Sequence, residues 1–376
     1  MSEPGGPAGP PRAVHQFVPA LIPRDATGTH TLLLREALRS AGWRSEIFAE
    51  ATHDELAGES FKVERYPDHA QADDVLVYQF STSSMLADFL LGRPEELVID
   101  YHNITRPELY EPWEPDTARR SADALDQLSR LAPRAALGLA DSSFNEADLV
   151  AAGCPRTAVV PVLVDVDRVA ARPDPRVADR LRSAKADGGA DWLFVGRVVP
   201  SKAQHELVKA LWAYRRLYDP AARLHLVGSM PSNRYLRALR AFVDDLGLRQ
   251  AVHLTGEVTE SALAAHFEAA DVYVSLSVHE GFGVPLLESM RAGVPVVARR
   301  TGAVPATVAD AGLVLDRTEP SYVAGAVHRV LTDAGLRRRL AGAGHVRVAE
   351  HSLERCGALA VTALSAVAGA PPGAGR

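Results

Sequence analysis

The run from Val272 to Met290 holds the residues best suited to chemistry. It reads VYVSLSVHEGFGVPLLESM: an apolar strand, then Glu280, a glycine turn, and a helix with Glu288 in an early turn. Glycine lets a backbone approach a ligand, proline suits the first helical positions, and free amides at a helix start attract anions or hydroxyl oxygens. Carboxylates are strong acceptors for vicinal sugar hydroxyls. The run therefore predicts two carboxylates facing one pocket.

A second run, from Val195 to Gln204, supplies two cations. It reads VGRVVPSKAQ and lies between an apolar strand and a helix, with Arg197 and Lys202 in the turn. An arginine binds phosphate oxygens as a planar fork, and a lysine acts as a point charge. Such a pair can stabilise the charge of a departing diphosphate. The run therefore predicts a clamp for an anionic leaving group.

The setting of these residues is more specific than their spacing, since Glu260 and Glu268 are separated by the same distance in an ordinary helical region. The first run matches the pattern EGFGxPxxE through Glu280, Gly281, Phe282, Gly283, Pro285 and Glu288. With these residues the chain resembles the retaining glycosyltransferases of family 4, whose E(x7)E motif is embedded in such a sequence. The family's GR(x4)K-type element is also matched, by Arg197 and Lys202 with the preceding glycine.

The resemblance implies a GT-B fold, in which two Rossmann-like domains of doubly wound parallel sheets face an interdomain cleft. It also implies a nucleotide-sugar donor on the C-terminal domain, with no metal and no other cofactor. Glu280 and the turn Gly281, Phe282 and Gly283 would bind the donor sugar, and Glu288 would bind the ribose hydroxyls. Arg197 and Lys202 would hold the pyrophosphate. Retention would follow a front-face path in which the departing phosphate helps to take the acceptor's proton.

A histidine follows a strand in the first half of the chain. The segment from Leu97 to Arg106 reads LVIDYHNITR, and the strand ends at His102 and Asn103. An isolated histidine at a strand end is more often a hydrogen-bonded structural residue than a catalytic one. Because members of the family often carry a histidine here, near the donor sugar and acceptor, the resemblance assigns His102 to the reaction centre. Hydrogen bonding to a sugar hydroxyl and polarisation of a carbonyl are both open as alternatives to proton transfer.

The loop after the first strand is less informative. It reads RDATGTH from Arg24 to His30, and Gly28 could offer a backbone amide to the β-phosphate or to the acceptor. Family members frequently have two glycines in this loop, whereas this chain has only Gly28. An ordinary helix N-cap by Thr27 or Thr29 fits the residues nearly as well.

Several other chemistries lack their defining residues. HEGFG at His279 is not HExxH, so a zinc peptidase would miss its second ligand, and neither GxxxxGK[ST] nor GxGxxG is present. The thirteen histidines are scattered, and no metal site is predicted. A glycosidase carboxylate pair at Glu280 and Glu288 is disfavoured, because cleavage of a neutral glycoside would not need the cations Arg197 and Lys202.

The elements that must position these residues alternate between short apolar runs and longer amphipathic stretches, which is typical of α/β folds with parallel sheets. Six strands are predicted in each half: 14–18, 45–48, 75–80, 97–101, 136–140 and 158–161, then 192–195, 224–227, 252–254, 272–276, 296–298 and 312–315. The clearest helices are predicted at 29–41, 116–131, 203–218, 234–246 and 261–269.

A polar segment with proline and glycine separates the two series and predicts an interdomain linker in its first part. The expected organisation is an acceptor-binding N-terminal domain at 12–170 and a donor-binding C-terminal domain at 171–350. By the resemblance, a final helix at 351–368 crosses back to the first domain. The Pro/Gly/Ala-rich ends, 1–11 and 369–376, are expected to be disordered tails.

Composition limits the function classes. With 41 Lys+Arg against 47 Asp+Glu, a formal charge of −6 argues against nucleic acid as a partner. No apolar run reaches the ~18 residues of a membrane span, and no secretory signal opens the chain, so we expect a cytoplasmic protein without a transmembrane segment. The two cysteines, Cys154 and Cys356, have no zinc or disulfide spacing and are expected to be reduced, buried thiols.

These observations predict a retaining glycosyltransferase that moves a hexosyl group from a UDP- or GDP-sugar donor to the hydroxyl of a small-molecule or saccharide acceptor. A GT-B-like nucleotide-sugar epimerase and a non-catalytic nucleotide-sugar-binding protein are the alternatives. The acceptor, the base and the sugar are not specified by any motif.

Overall fold

The computed structural model describes residues 12–186 and 188–371, which divide into two compact units. The first unit contains residues 12–104, 120–164 and 353–371, and the second contains Thr105–Arg119 and Asp165–Ser352. The division thus falls between Val164 and Asp165, six residues before the predicted boundary. The predicted tail at 1–11 lies outside the described residues, as do residues 372–376 of the other predicted tail.

The first unit is built on a seven-stranded sheet in which every pairing is parallel. Its strands are β1 (Val14–Leu21), β2 (Ile47–Thr52), β3 (Phe61–Lys62), β4 (Val75–Phe80), β5 (Glu96–Tyr101), β6 (Leu137–Ala140) and β7 (Thr157–Val159). Their order across the sheet is β3-β2-β1-β4-β5-β6-β7. The order reverses between β1 and β4, a topological switch point where doubly wound sheets bind ligands beyond the carboxyl ends of their strands.

The second unit repeats this plan with six parallel strands. They are β8 (Asp191–Val195), β9 (Arg223–Val227), β10 (Val252–Gly256), β11 (Val272–Ser275), β12 (Val296–Arg299) and β13 (Gly312–Leu315). Their order is β10-β9-β8-β11-β12-β13, so the switch point of this sheet lies between β8 and β11.

Thirteen α-helices connect the strands within the described residues. They are α1 (Ala26–Ser40), α2 (Leu86–Leu91), α3 (Pro115–Leu131), α4 (Ser143–Ala151), α5 (Pro175–Ala186), α6 (Gln204–Leu217), α7 (Asn233–Asp245), α8 (Glu260–Ala269), α9 (Val284–Arg291), α10 (Val304–Val308), α11 (Pro320–Thr332), α12 (Ala334–Glu350) and α13 (Leu353–Ala368). Several begin at a side-chain N-cap, as at Ser142, Thr259 and Asp333, whose oxygens accept from amides of the first turn. None of the described helices combines the length and apolar composition needed to cross a bilayer.

Every predicted strand is present in the structure, and the predicted bounds of β4 and β13 are the observed ones. The sequence pattern missed β3, which has two residues, both exposed, and therefore shows no apolar run. It also missed α5, which covers 12 of the 25 residues of the polar segment 165–189 and follows the first part, where the linker was placed. Only a narrow apolar stripe of this helix is buried, where Ala178 and Leu181 pack with Ala265 of α8.

The cores explain why the central strands are continuous apolar runs, since parallel sheets of this class are covered on both faces. All six residues of β4 are buried, and so are all five of β9. In the first unit α13 packs on α1, with Cys356, Ala360 and Leu364 in one buried cluster with Leu34. Both cysteines are buried free thiols, as expected.

Candidate functional site

The connection from β8 to α6 is a tight turn that carries both predicted cations. A 3-10 turn at Pro200–Lys202 is followed by Ala203 in the left-handed region, with φ of 49°. The Gln204 side chain donates to the carbonyl of Arg197 over 2.8 Å and closes the loop. These bonds fix the point from which each cationic side chain leaves the backbone.

The connection from β11 to α9 is tied to its neighbours by backbone and hydroxyl hydrogen bonds. The amide of Val278 donates to the carbonyl of Ser201 over 2.9 Å, which joins this loop to the β8–α6 turn. The amide of Ala303 donates to the carbonyl of Glu280 over 2.9 Å, and a Cβ added at Gly302 would lie 2.1 Å from the same oxygen. The loop is therefore held at Val278 by the β8–α6 turn and at the Glu280 carbonyl by the segment 302–303.

Lys202 and Glu280 meet across the switch point of the second sheet. The Lys202 ammonium lies 2.8 and 2.6 Å from the two carboxylate oxygens of Glu280. The two side chains remain 21% and 15% exposed, so a ligand can reach the pair. One follows β8 and the other follows β11, the two strands that flank the switch point. The position is therefore the one at which such a sheet receives a ligand.

Glu288 is fully buried and paired with a residue that the sequence did not single out. Nε and Nη2 of Arg168 lie 2.6 and 2.5 Å from one oxygen, Oε1, of Glu288. The other oxygen, Oε2, is buried and has no hydrogen-bond partner among the described residues. Burial raises the pKa of Glu288, and the charge of Arg168 opposes that shift. Arg168 itself is 24% exposed and is thus the member of the pair that solvent touches.

Tyr273 links the two carboxylates electrostatically. This buried side chain of β11 donates from its hydroxyl to the carbonyl of Val195 over 3.3 Å. Burial raises the pKa of Tyr273 well above its usual range, and the charges of Glu280 and Glu288 raise it further. Both carboxylates therefore lie close enough to this one hydroxyl to act on its charge.

Arg197 differs from Lys202 in having no protein partner. Its side chain is exposed, and within residues 12–186 and 188–371 its guanidinium makes no hydrogen bond or ion pair. The predicted clamp therefore consists of one cation held on a carboxylate and one cation available to a ligand.

The glycine turn before α9 has two distinct parts. Gly283 has φ of 89° and is the helix N-cap, with no side-chain cap on the first-turn amides. The Phe282 side chain is a core group, 6% exposed, and its carbonyl accepts from the Thr307 hydroxyl over 2.7 Å. Gly281, the first residue of the turn, is partly buried. The turn thus contributes backbone rather than side chains to the site.

Gly28 lies inside α1 and its amide is already bonded. Asp25 is the N-cap, and its carboxylate accepts from the amides of Thr27 and Gly28 at 3.1 and 3.3 Å. The alternative prediction of an N-cap by Thr27 or Thr29 was therefore wrong, because the capping residue is Asp25. A Cβ at position 28 would lie 2.4 Å from the carbonyl oxygen of Ile22, so this position requires glycine for packing.

His102 follows β5 in the first unit, and both of its ring nitrogens have protein partners. Nδ1 lies 3.1 and 3.2 Å from the two oxygens of Asp141, and Nε2 lies 2.6 Å from Oε1 of Gln79. The side chain is 5% exposed. Burial lowers the pKa of His102, but Asp141 and Asp100 together raise it to about 9.

His102 belongs to a buried polar network that sequence reasoning did not find. Its other members are Gln16, His30, Gln79, Asp100 and Asp141. The available signal was a polar residue inside an apolar strand, such as glutamine in VLVYQF or aspartate in ELVIDY. The signal for Arg168 was weaker, because it lies in the polar segment interpreted as linker.

Three members of this network come close enough to resemble metal ligands, although no metal site was predicted. Ligand-type atoms of His30, Asp100 and His102 lie within 4.8 Å of one another. The His30 Nε2 is 2.9 Å from Asp100 Oδ2, and His30 Nδ1 accepts from the amide of Leu163 over 2.9 Å. These hydrogen bonds account for the grouping without an ion.

Comparisons with known proteins agree with this geometry. The family model described as glycosyl transferases group 1 matches residues 177–347. A D-inositol 3-phosphate glycosyltransferase of Acidothermus cellulolyticus is 30% identical over 339 residues, which cover 85% of this chain and 68% of that protein. The chain belongs to the group 1 glycosyltransferases. This confirms the family resemblance inferred from the EGFGxPxxE pattern.

Other group 1 relatives match over shorter stretches. A D-inositol 3-phosphate glycosyltransferase of Geodermatophilus obscurus is 36% identical over 58% of this chain and 49% of its own length. A GDP-mannose-dependent alpha-(1-6)-phosphatidylinositol monomannoside mannosyltransferase of Mycobacterium tuberculosis is 37% identical over 51% of each chain. The chain thus spans about half the length of these curated relatives.

Solved structures establish the fold of this group 1 chain. The Anabaena protein HepE in complex with UDP-glucose superposes with a TM-score of 0.74 at 19% identity, over 94% of this chain and 99% of HepE. Sucrose-phosphate synthase from Thermosynechococcus elongatus gives 0.72 at 20% identity, over 93% and 97%. The predicted GT-B fold, with two parallel α/β domains, is confirmed.

Proposed function

We propose that the protein is a retaining glycosyltransferase that moves a hexosyl group from a UDP- or GDP-sugar to the hydroxyl of a small-molecule or saccharide acceptor. The observation that carries the proposal is the meeting of Lys202 and Glu280 at the β8/β11 switch point, 2.6 Å apart and partly exposed, in a site whose β8–α6 turn also carries Arg197, which is unpaired among the described residues. A lysine can bind the phosphate oxygens of a sugar diphosphate, and a carboxylate can accept hydrogen bonds from its sugar hydroxyls. The two side chains together therefore suit such a ligand.

The two cations would act on the leaving group. Departure of a nucleoside diphosphate builds negative charge on its β-phosphate while the sugar becomes oxocarbenium-like. Arg197 and Lys202 would stabilise that growing charge, and loss of one such contact typically costs about 3 to 4 kcal/mol of transition-state stabilisation. Since they supply the charge, the proposal includes no metal, and addition of a chelator should leave the rate unchanged.

The carboxylates would bind the donor's hydroxyls. Glu280, with the amides of the turn through Gly283, would hold the sugar. The ribose would meet the pair formed by Glu288 and Arg168, in which the carboxylate has one unpartnered oxygen and the guanidinium is partly exposed. Because Glu288 is fully buried and Arg168 is the member of the pair that solvent touches, a ribose hydroxyl would reach the carboxylate after a shift of the Arg168 side chain.

The names of relatives supply the first substrates to test. Two relatives are named for D-inositol 3-phosphate and for GDP-mannose with phosphatidylinositol monomannoside, and HepE was crystallised with UDP-glucose. The panel therefore combines UDP-glucose, UDP-N-acetylglucosamine and GDP-mannose with inositol phosphates and simple saccharides.

The experiment measures binding and transfer separately. A thermal shift with each nucleotide diphosphate and sugar nucleotide identifies the donor, because binding to the folded state raises apparent stability. Incubation of that donor with each acceptor should then give a glycoside whose anomeric configuration, read by NMR, equals that of the donor. Inversion would disprove the retaining mechanism. An isomerised donor without acceptor would indicate the epimerase, and binding with no turnover would indicate the non-catalytic protein.

A further inference from the structure

The hydrogen bonds around His102 form a chain whose direction is fixed at one end. The Gln16 amide nitrogen donates to the carbonyl of Thr31 over 3.0 Å, which leaves Gln16 Oε1 as an acceptor. The Gln79 amide nitrogen donates to that oxygen over 2.9 Å and lies 3.3 Å from Asp100 Oδ2, a second acceptor. Gln79 must therefore present its own oxygen, Oε1, to His102.

This order determines the protons of the imidazole ring. Because Nε2 of His102 faces an amide oxygen at 2.6 Å, that nitrogen must carry a hydrogen. Because Nδ1 faces both oxygens of Asp141 at nearly equal distances, 3.1 and 3.2 Å, it fits a hydrogen shared between two carboxylate oxygens. A ring with hydrogen on both nitrogens is an imidazolium.

The surrounding charges favour that cation. Asp141 after β6 is 4% exposed, and Asp100 on β5 is buried beside Gln79, its partner in strand register. Asp25 at the start of α1 adds a third negative charge. His30 on α1 is the one neighbouring imidazole in the network, at a ring distance of 5.0 Å, and its Nδ1 accepts a hydrogen bond from an amide, which leaves its hydrogen on Nε2, facing Asp100.

We infer that Asp141 and Gln79 hold His102 as an imidazolium, so that His102 acts as a fixed cation and Asp141 is its positioning residue. The catalytic role of this cation rests on the proposed function, whereas the protonation state of the ring does not. Both nitrogens donate to protein groups and neither has a free lone pair. His102 therefore does not accept the acceptor's proton, and that proton passes to another base, which the departing phosphate can provide.

The proton count can be read without any substrate. In protein labelled with ¹⁵N-histidine, two-bond ¹H–¹⁵N correlation spectra separate the two nitrogens of a neutral ring and bring together those of an imidazolium. The His102 signals are assigned by their loss in His102→Gln. Wild-type protein should show an imidazolium from pH 6 to pH 8, with titration near pH 9. A neutral His102 ring at pH 7 overturns the inference, and this measurement needs no variant except for assignment.

A matched pair of variants tests the role of Asp141. Asp141→Asn removes the countercharge with little change of shape, and the ring should become neutral by pH 8. With an ordinary pKa near 6.5, the charged fraction would fall about 25-fold between pH 6 and pH 8, and burial would lower it further. Asp148→Asn is the control, because Asp148 accepts from the Tyr101 hydroxyl in the same unit and is not a hydrogen-bond partner of either His102 ring nitrogen.

The rate separates positioning from support of the fold. The ratio of wild-type to Asp141→Asn turnover should rise by about 25-fold or more from pH 6 to pH 8, since lower pH restores part of the cation in the variant. A ratio that is constant with pH would contradict a role through charge. If the protein turns over no sugar nucleotide, the proposed function fails while the spectra still decide the state of His102.

Discussion

Gly302 offers the sharpest test of how the site is held, because its neighbour is the backbone of a site residue. An alanine Cβ at this position would lie 2.1 Å from the carbonyl oxygen of Glu280, and the residue has φ of +48°. No rotation of a side chain can relieve that overlap, since the group in the way is backbone. Gly302→Ala should therefore push the Glu280 loop away from its position.

The magnitude has two parts that a control can separate. A non-glycine residue in the left-handed region costs roughly 1 to 2 kcal/mol, and alanine recovers about 0.4 to 1 kcal/mol by restricting the unfolded chain. Both terms apply equally to Gly293→Ala, which has φ of +72° and no atom within 4 Å of the added Cβ. The overlap with Glu280 is specific to Gly302 and should add about 1 to 3 kcal/mol, the range for overpacked sites.

The assay is urea unfolding of both variants together with their affinity for the nucleotide sugar. We expect Gly293→Ala to lose at most about 1.5 kcal/mol and to keep its affinity. Gly302→Ala should lose clearly more stability and bind the nucleotide sugar more weakly. Equal losses in the two variants, with equal affinity, would refute the view that close backbone contact at Gly302 fixes Glu280.

Three further outcomes follow from the same contacts. Arg197→Ala should lower turnover by about 100-fold or more with an unchanged melting temperature, because the side chain is exposed; an unchanged rate would remove Arg197 from the clamp. Glu288→Gln should raise the Kd for the free nucleoside diphosphate about tenfold or more, whereas equal affinity would contradict the ribose role. The pKa of His266 is lowered by burial to about 4, so its folded form resists protonation, and the contribution of His266 to stability should fall by about 3 kcal/mol as the pH drops from 6.5 to 4. His266→Met should lose less than wild type by about that amount in denaturant titrations across that range.

The loops that carry the chemistry were visible in the sequence because their signals are local. The glycine turn at 281–283 and the helix that follows Gly283 depend on residues within a few positions of one another. The same holds for β4 and β13, whose apolar runs end at polar or turn residues. Local propensity and hydrophobic period act over these distances, so one sequence suffices to predict them.

Three features of the site were not accessible in this way. Arg168 reaches Glu288 across 120 positions, and its polar surroundings indicated only a linker. Gly28 was predicted to offer its amide to a ligand, but the adjacent Asp25 carboxylate accepts from it. The glutamines of the His102 network lie on separate strands, and only the parallel register of β1, β4 and β5 brings them together.

The sequence by itself therefore determined the family, the α/β fold and the two loops with Glu280 and Lys202, since each rests on a short motif or a periodic pattern. The tertiary structure decided which side chains meet: Lys202 with Glu280, Glu288 with Arg168, and His102 with Asp141. The physical reason is that such pairs depend on strand order across a sheet. That order is set by the packing of the whole unit rather than by neighbours along the chain.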